Sequence, residues 1–429
     1  MVATTQQTGP ATTMSARQAV AAAVIGNVLE WYDFAVYAFV AGIIGKNFFP
    51  SGDRVRELLA TFAVFGVGFL ARPLGGIVIG RIGDVKGRKF ALLLTIFLMV
   101  TGTVLIGIAP TYATIGVAAP LLILIARLMQ GFSAGGEWGG STAFIVEWAP
   151  EGQRGLYGSF QQCSVSAGLL LGSLVAALAN TLLSAESMES WGWRVPFLLG
   201  GLLGPVGLYM RRNMEETPAY RRERQAPSAP RPGDPAPFWL SARAFGFTIV
   251  WTVIFYIFLS YMPTFTKTYA NLSSAQSLWS NSIGLIVLVV AIPVMGMISD
   301  RIGRQPLLLA CCVAFVVLPY PVFMLLLSGP SFATVIAIQI LIGLVISLYS
   351  GAGPAAISEI FPTSSRSTWM TTGYALSVAI FGGFAPYIAT WLIDQTGVKF
   401  APVFYVIAAA AISLVVNYRL AETAHHPLR

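Results

Sequence analysis

Two segments of an otherwise apolar chain carry the side chains best suited to holding a polar solute or a proton. In 20–45, Asn27, Glu30, Asp33 and Tyr37 recur at steps of three and four, which places them along one side of a helix. In 117–147 the same spacing joins Arg127, Gln130, Ala134, Glu137 and Ser141, with glycines 131, 135, 136, 139 and 140 on the remaining faces. Arg127 offers a planar cationic fork that matches a carboxylate. The carboxyls of Glu137, Glu30 and Asp33 can take up or release a proton as their surroundings change, because burial favours the neutral acid and a nearby arginine favours the anion. The only histidines are His425 and His426, so no histidine in the apolar segments is available for proton transfer or metal ligation. Arg72, just before Pro73, is placed either to snorkel towards water or to touch a solute. Further along, Tyr256, Ser260 and Thr264 recur at steps of four, and Asn281, Gln339, Tyr349 and Tyr374 add hydrogen-bonding capacity.

These residues sit in a chain of 429 residues that is 56% hydrophobic and 10% charged, with a mean hydropathy of +0.72. A soluble domain carries about 25% charged residues. So few charges cannot coat the core that this much apolar sequence would need, and the chain is read as a polytopic membrane protein. Runs long enough to cross a bilayer fall at 20–45, 58–80, 90–109, 117–147, 157–181, 194–210, 244–263, 278–298, 307–327, 332–358, 369–393 and 401–418. The first run carries two acids and no small-residue cleavage site after it, so it reads as a retained helix. A charge at the bilayer centre costs about 2.5–3.5 kcal/mol on insertion scales, so both polar stripes are expected to face a shared aqueous cavity. A static ion pair of Arg127 with Glu30 or Asp33 is the structural alternative.

The net charge of +8 comes from Lys and Arg in short loops, which argues against nucleic acid as a partner. Basic residues favour the side of the N-terminus by about three to one, so both termini are expected in the cytoplasm. Cys163, Cys311 and Cys312 lie in apolar runs and read as small buried side chains, neither a disulfide framework nor a metal site.

A repeat sets the architecture. Gly80-Arg-Ile-Gly-Asp84-Val-Lys-Gly87-Arg88-Lys89 follows the second apolar run, and Gly296-Met-Ile-Ser-Asp300-Arg-Ile-Gly303-Arg304 follows the eighth, half a chain length later. A Glu-x6-Arg pair after the fourth run, Glu147 and Arg154, returns after the tenth as Glu359 and Arg366. Two parallel six-helix halves follow, at 1–210 and 244–429, around a cytoplasmic linker at 211–243 that is rich in Arg, Pro and Glu. Asp84, Arg88, Lys89, Glu147 and Arg154, with Asp300, Arg304, Glu359 and Arg366, form a charge network suited to closing in one conformation and opening in another. The plainer reading is that they only set topology.

The duplicated GxxxDxxGRK loop and the paired Glu-x6-Arg elements resemble the major facilitator superfamily. Gly26-Asn27-Val-Leu-Glu30-Trp31-Tyr32-Asp33-Phe34, Gly68-Phe-Leu-Ala-Arg72-Pro73-Leu-Gly75-Gly76 and Arg127-Leu-Met-Gln130-Gly131-Phe-Ser-Ala-Gly135-Gly136-Glu137 are similar to its metabolite:proton symporters. That group includes carriers of citrate, α-ketoglutarate, shikimate and proline or betaine. Val85 stands where the superfamily pattern has Arg or Lys directly after the aspartate. The resemblance implies an all-α fold of twelve transmembrane helices, alternating access, and the proton as coupling ion with no other cofactor.

No GxxxxGK[ST] loop is present, so ATP is not the driver. No nucleophile or metal constellation suggests an enzyme. The expected function is proton symport of a small polar metabolite across a bacterial inner membrane by a monomer. A di- or tricarboxylate comes first; a zwitterionic osmolyte or shikimate-like acid is the alternative. A non-transporting receptor of the same fold is the competing class. Arg127, Glu137, Glu30, Asp33, Asn27, Tyr37, Gln130 and Tyr256 are the expected substrate and proton residues.

Overall fold

The computed structural model describes residues 16–86, 88–212 and 237–426. Among these residues twelve helical rods succeed one another and no strand forms. In the first half α1 comprises Ala16–Phe39 and Ala41–Phe48, α2 is Arg54–Lys86, and α3 is Arg88–Ile108. Then α4 joins Ala118–Ser133 to Glu137–Glu147 through a 3₁₀ turn at Ala134–Gly136, α5 is Arg154–Leu182, and α6 is Arg194–Arg212. In the second half α7 joins Pro237–Phe255 to Met262–Tyr269 through a π-helical turn at Tyr256–Tyr261, and α8 is Ser274–Ile302. The rod α9 comprises Gln305–Val317 and Pro319–Leu327, α10 is Phe332–Glu359, α11 joins Thr363–Ser377 to Ala385–Thr396 through π-helical Val378–Gly382, and α12 is Pro402–Tyr418.

Each expected apolar run has its rod, with differences that have local causes. The rod α7 begins at Pro237, inside the segment read as linker, because proline at the first helical turn loses no hydrogen bond it could have made. Pro319 bends α9 by 43°, since it offers no N–H to the preceding turn. The rod α1 bends by 64° at Val40 without a proline. Pro263 likewise offers no N–H to the turn before it, and the chain there widens to a π-helix that begins at Tyr256. At the starts of α8 and α10, Ser273 and Ser331 cap the free N–H groups, the former in a capping box with Gln276.

Large apolar side chains such as Leu74, Ile77, Phe97, Leu202, Val290 and Phe404 are exposed around the outside, as a lipid-facing surface requires. The halves meet along α5 against α8 and α10, and along α2 against α11. By contrast α7 is almost wholly enclosed, whereas α8 and α10 are about half exposed. The face where α1 begins and α12 ends is called the terminal face below; the start of α5 and the ends of α4, α8 and α10 lie there too.

Candidate functional site

The centre of the first half is built on glycine contacts between α2 and α4. A Cβ on Gly131 would lie 1.7 Å from the Gly68 carbonyl oxygen, and one on Gly135 would lie 2.0 Å from that of Arg72. Only bare backbone allows this approach, and it brings Arg72 and Arg127 into the same interior. The Arg127 guanidinium, 1% exposed, lies 3.7 Å from the centre of the Tyr37 ring. Its Nη1 donates to Gln130 Oε1 at 2.8 Å, while Nε and Nη2 have no hydrogen-bond partner among the described residues. Gln130 Nε2 donates to the Thr103 hydroxyl at 2.8 Å, and that hydroxyl donates to Asp33 Oδ2 at 2.5 Å. A polar relay thus links Arg127 on α4 to Asp33 on α1 through α3. The other carboxylate oxygen, Oδ1, is buried without a described partner and lies 2.5 Å from where a Cβ on Gly200 would stand. Glycine at 200 leaves room for the acid.

Arg72 does not reach for water. It is 3% exposed, its guanidinium lies 4.3, 4.8 and 5.4 Å from the ring centres of Phe69, Phe34 and Trp31, and its Nε and Nη2 lack described partners. Cation–π contact recovers part of its lost hydration.

The second half closes this interior with aromatic rings. Tyr256 packs edge-on to Phe69 with ring centres 5.4 Å apart, and Tyr374 stacks on Trp138 at 3.5 Å with the planes 3° apart. Trp251 meets both Trp138 and Tyr374 edge-on. Trp31, Gln162, Trp251, Thr252, Tyr256 and Tyr374 line a void with room for about one water molecule. The hydroxyls of Tyr256 and Thr252 are buried without described partners.

The remaining expected residues fan out. Asn27 donates to the Ser164 hydroxyl on α5 at 3.1 Å, and the Tyr37 hydroxyl donates to the Thr61 carbonyl on α2 at 3.2 Å. Glu30 is buried on the same rod as Asp33. The Glu137 side chain lies outside the described residues, as do those of Asp84, Arg88 and Lys89. In the second half the Tyr349 hydroxyl donates to the Phe247 carbonyl and accepts from Asn417, which makes it an internal brace.

At the terminal face the charges pair across the halves. Glu147 of α4 binds Arg366 of α11 at 3.1 Å, and Arg154 of α5 binds Glu359 of α10 at 3.0 Å. Arg304 joins Glu359 at 3.2 Å and Asp300 at 2.7 Å. Asp300, in the last turn of α8, accepts the N–H groups of Gly155 and Leu156 at 2.7 and 2.9 Å. It therefore caps the N-terminus of α5 from the other half, a position where the helix dipole favours an anion. A Cβ on Gly155 would lie 2.5 Å from the Gly296 carbonyl oxygen and from Arg304 Nη1, so glycine lets the two halves close. At the opposite face the halves meet through hydroxyl acceptors: Ser173 with Ser282 at 2.8 Å, the Trp279 indole N–H to Thr181 at 3.2 Å, and Arg54 Nη2 to the Thr268 hydroxyl at 3.3 Å.

Known proteins are similar to this chain over most of its length. The model of sugar and other transporters covers residues 19–229, and the Major Facilitator Superfamily model covers 270–428. A proline/betaine transporter of Salmonella typhimurium is 35% identical over 426 residues, 96% of this chain and 85% of that protein. The chain belongs to the major facilitator superfamily. A citrate-proton symporter of Klebsiella pneumoniae is 37% identical over 398 residues, 91% of this chain and 88% of that one. Among solved structures, the xylose transporter from E. coli in a partially occluded inward-open conformation aligns with a TM-score of 0.78 at 16% identity, covering 95% of this chain and 98% of that one. This superfamily member is thus a multi-pass membrane transporter, and its relatives are not enzymes.

Several residues of the central interior carry no signal in the sequence. Thr103 stands alone in an apolar run, and a hydroxyl in a helix is ordinarily satisfied by its own backbone. Trp31, Trp138 and Trp251 look like any core or lipid-facing aromatic until the halves are assembled. Arg72 had a signal, a charge beside a proline in an apolar run, but not one that tells burial from snorkelling.

Proposed function

We propose that this transporter is a proton-coupled symporter that moves a small carboxylate-bearing metabolite by alternating access. The observation that carries the reading is the pair of buried guanidinium groups, Arg72 and Arg127, each with two nitrogens lacking a described partner. A buried cation in that state is costly, and a substrate carboxylate supplies the acceptors. Di- and tricarboxylates are the first class on this argument. The positive-side bias puts the terminal face in the cytoplasm, so the paired ions there close the inner gate. Asp33, Glu30 and Glu137 are the candidate proton carriers, and the carrier acts as a monomer in a bacterial inner membrane.

A second reading, a zwitterion such as proline or betaine, is favoured by the aromatic faces around the void. Such faces suit an alkylated ammonium, while Glu30 and Asp33 offset the charge of the two arginines. Charge movement separates the readings. One elementary charge crossing 100 mV is worth about 2.3 kcal/mol. A dianion with one proton still enters against an inside-negative potential, whereas a zwitterion with one proton is drawn in. Proteoliposomes with imposed pH and voltage gradients should be offered citrate, α-ketoglutarate, shikimate, proline and glycine betaine. Uptake of one class that collapses with a protonophore is the expected result. Binding without uptake would point to a receptor, and uptake insensitive to the protonophore would end the proton reading.

A further inference from the structure

Beyond α12 the chain turns back across the terminal face and fastens itself to the gate. Gln305 Nε2 donates to the carbonyls of Asn417, Tyr418 and Leu420 at 3.1–3.2 Å, which fixes the direction of exit. Glu422 then accepts four backbone N–H groups: those of Arg304, Thr423 and Ala424 at 3.0, 2.9 and 2.9 Å on Oε1, and that of Gln305 at 2.9 Å on Oε2. Two of the four belong to the start of α9, so the carboxylate caps that helix. Gly303 has φ of +100°, and a Cβ there would lie 2.5 Å from Glu422 Oε2, so the turn both permits and shapes the seat. The Thr423 hydroxyl donates to Glu359 Oε2 at 2.5 Å, the oxygen opposite the one that holds Arg154 and Arg304. Finally Arg154 Nη2 donates to the carbonyls of Ala424 and His426.

All these anchors but one lie on the second half. The exception is Arg154, the first residue of α5. We propose that residues 420–426 form a strap that belongs to the gate: it rides on the second half and offers two carbonyl acceptors to Arg154 only while the halves are closed at this face. Glu422 and Thr423 are positioning residues, the former holding the strap on α9 and the latter orienting Glu359. Opening this face pulls Arg154 away from Glu359 and from the strap together. The strap therefore biases the resting transporter towards the closed terminal face. The inference rests on the alternating-access reading above, but not on any particular substrate.

The test is the distance between nitroxide labels at Glu151→Cys in the first half and Arg301→Cys in the second, both exposed at this face, measured by double electron–electron resonance. Cys163, Cys311 and Cys312 are replaced in the background. With no solute or gradient present, Glu422→Ala should raise the long-distance open population about ten-fold, the loss of roughly one charge-assisted hydrogen bond. Thr423→Ala should raise it less. Glu422→Gln, which keeps the shape but loses acceptors, should resemble Glu422→Ala. Unchanged distributions in all folded variants would overturn the strap. If Glu422→Ala does not fold, Thr423→Ala alone decides. Uptake assays on the same variants keep the two readings apart. A shifted distribution in a chain that moves no tested solute upholds the strap while the transport reading fails; normal uptake with unshifted distances removes the strap alone.

Discussion

Two sets of arginines are buried in this transporter, and they are treated differently. At the terminal face Arg154, Arg304 and Arg366 each have a carboxylate oxygen within 3.2 Å, drawn from the other half or shared with it. At the centre Arg72 and Arg127 rest on aromatic faces, and each keeps two nitrogens, Nε and Nη2, without a described hydrogen-bond partner. A buried guanidinium paired by the protein stabilises the conformation in which the pair forms. One left partly unpaired stores an unmet demand that a ligand can meet. The first set is suited to holding a state and the second to responding to a solute. Because the Arg154–Glu359 and Arg366–Glu147 pairs cross between halves, they must separate on opening; the central arginines belong to one half and can keep their positions.

Removing the shared gate acid tests this contrast most severely. Glu359→Gln leaves Arg154 and Arg304 without their common carboxylate, and breaking a buried pair costs about 3–5 kcal/mol. We expect the closed terminal face to be lost and cysteine probes along α5 and α8 to become reactive there, with solute binding retained. Protection of those probes at the parent level would show that the ions do not hold the state. Next in size, Arg127→Lys should keep the fold but lower uptake about 100-fold, because a point charge cannot replace the planar fork. Parent-like KM and rate in that variant would make Arg127 a brace, like its counterparts at the gate.

Gly200→Ala should act most strongly on the acid, with lesser crowding of Thr103 and Tyr32 at 3.1 Å. Its Cβ would meet Asp33 Oδ1, and crowding of this kind costs about 1–3 kcal/mol. We expect solute exchange to continue while accumulation against a gradient falls; undiminished accumulation would remove Asp33 from the coupling machinery. The smallest effect concerns Glu422. Burial alone would raise its carboxyl, but the N–H groups of Arg304, Ala424, Gln305 and Thr423 more than offset this and hold it below its ordinary value of 4.5. Its stabilising contribution is therefore fully present above pH 4.5 and disappears only as the pH falls below that. The nitroxide distances should not change between pH 8 and 5 on account of Glu422. A Glu422-dependent change within that range would contradict the seat described above.

Much of the plan is legible without coordinates. Twelve apolar runs announce twelve rods because length and hydropathy are local properties. The duplicated Asp84 and Asp300 loops and the two Glu-x6-Arg elements announce two related halves, and the steps of three and four in α1 and α4 pick out Arg127, Gln130 and Asp33. Periodicity tells which face of a helix a residue occupies, not which neighbour meets it. Asn27, Asp33 and Tyr37 share a stripe, yet they turn to α5, α3 and α2 respectively.

The tertiary structure decided the partners. Glu147 and Arg154 lie seven residues apart and invite pairing with each other, but each instead takes its partner from the other half, Arg366 and Glu359. Thr103 enters the relay only because α3 packs beside α1 and α4, and Arg72 stays inside only because Trp31, Phe34 and Phe69 surround it. Glu422 gains its role only when the chain folds back over α9. In sequence such residues are one acid, one hydroxyl and one base among many. Local pattern determines which helices form and which faces are polar; the energy of a buried charge depends on what stands within a few ångströms of it, and in this protein those neighbours come from distant parts of the chain.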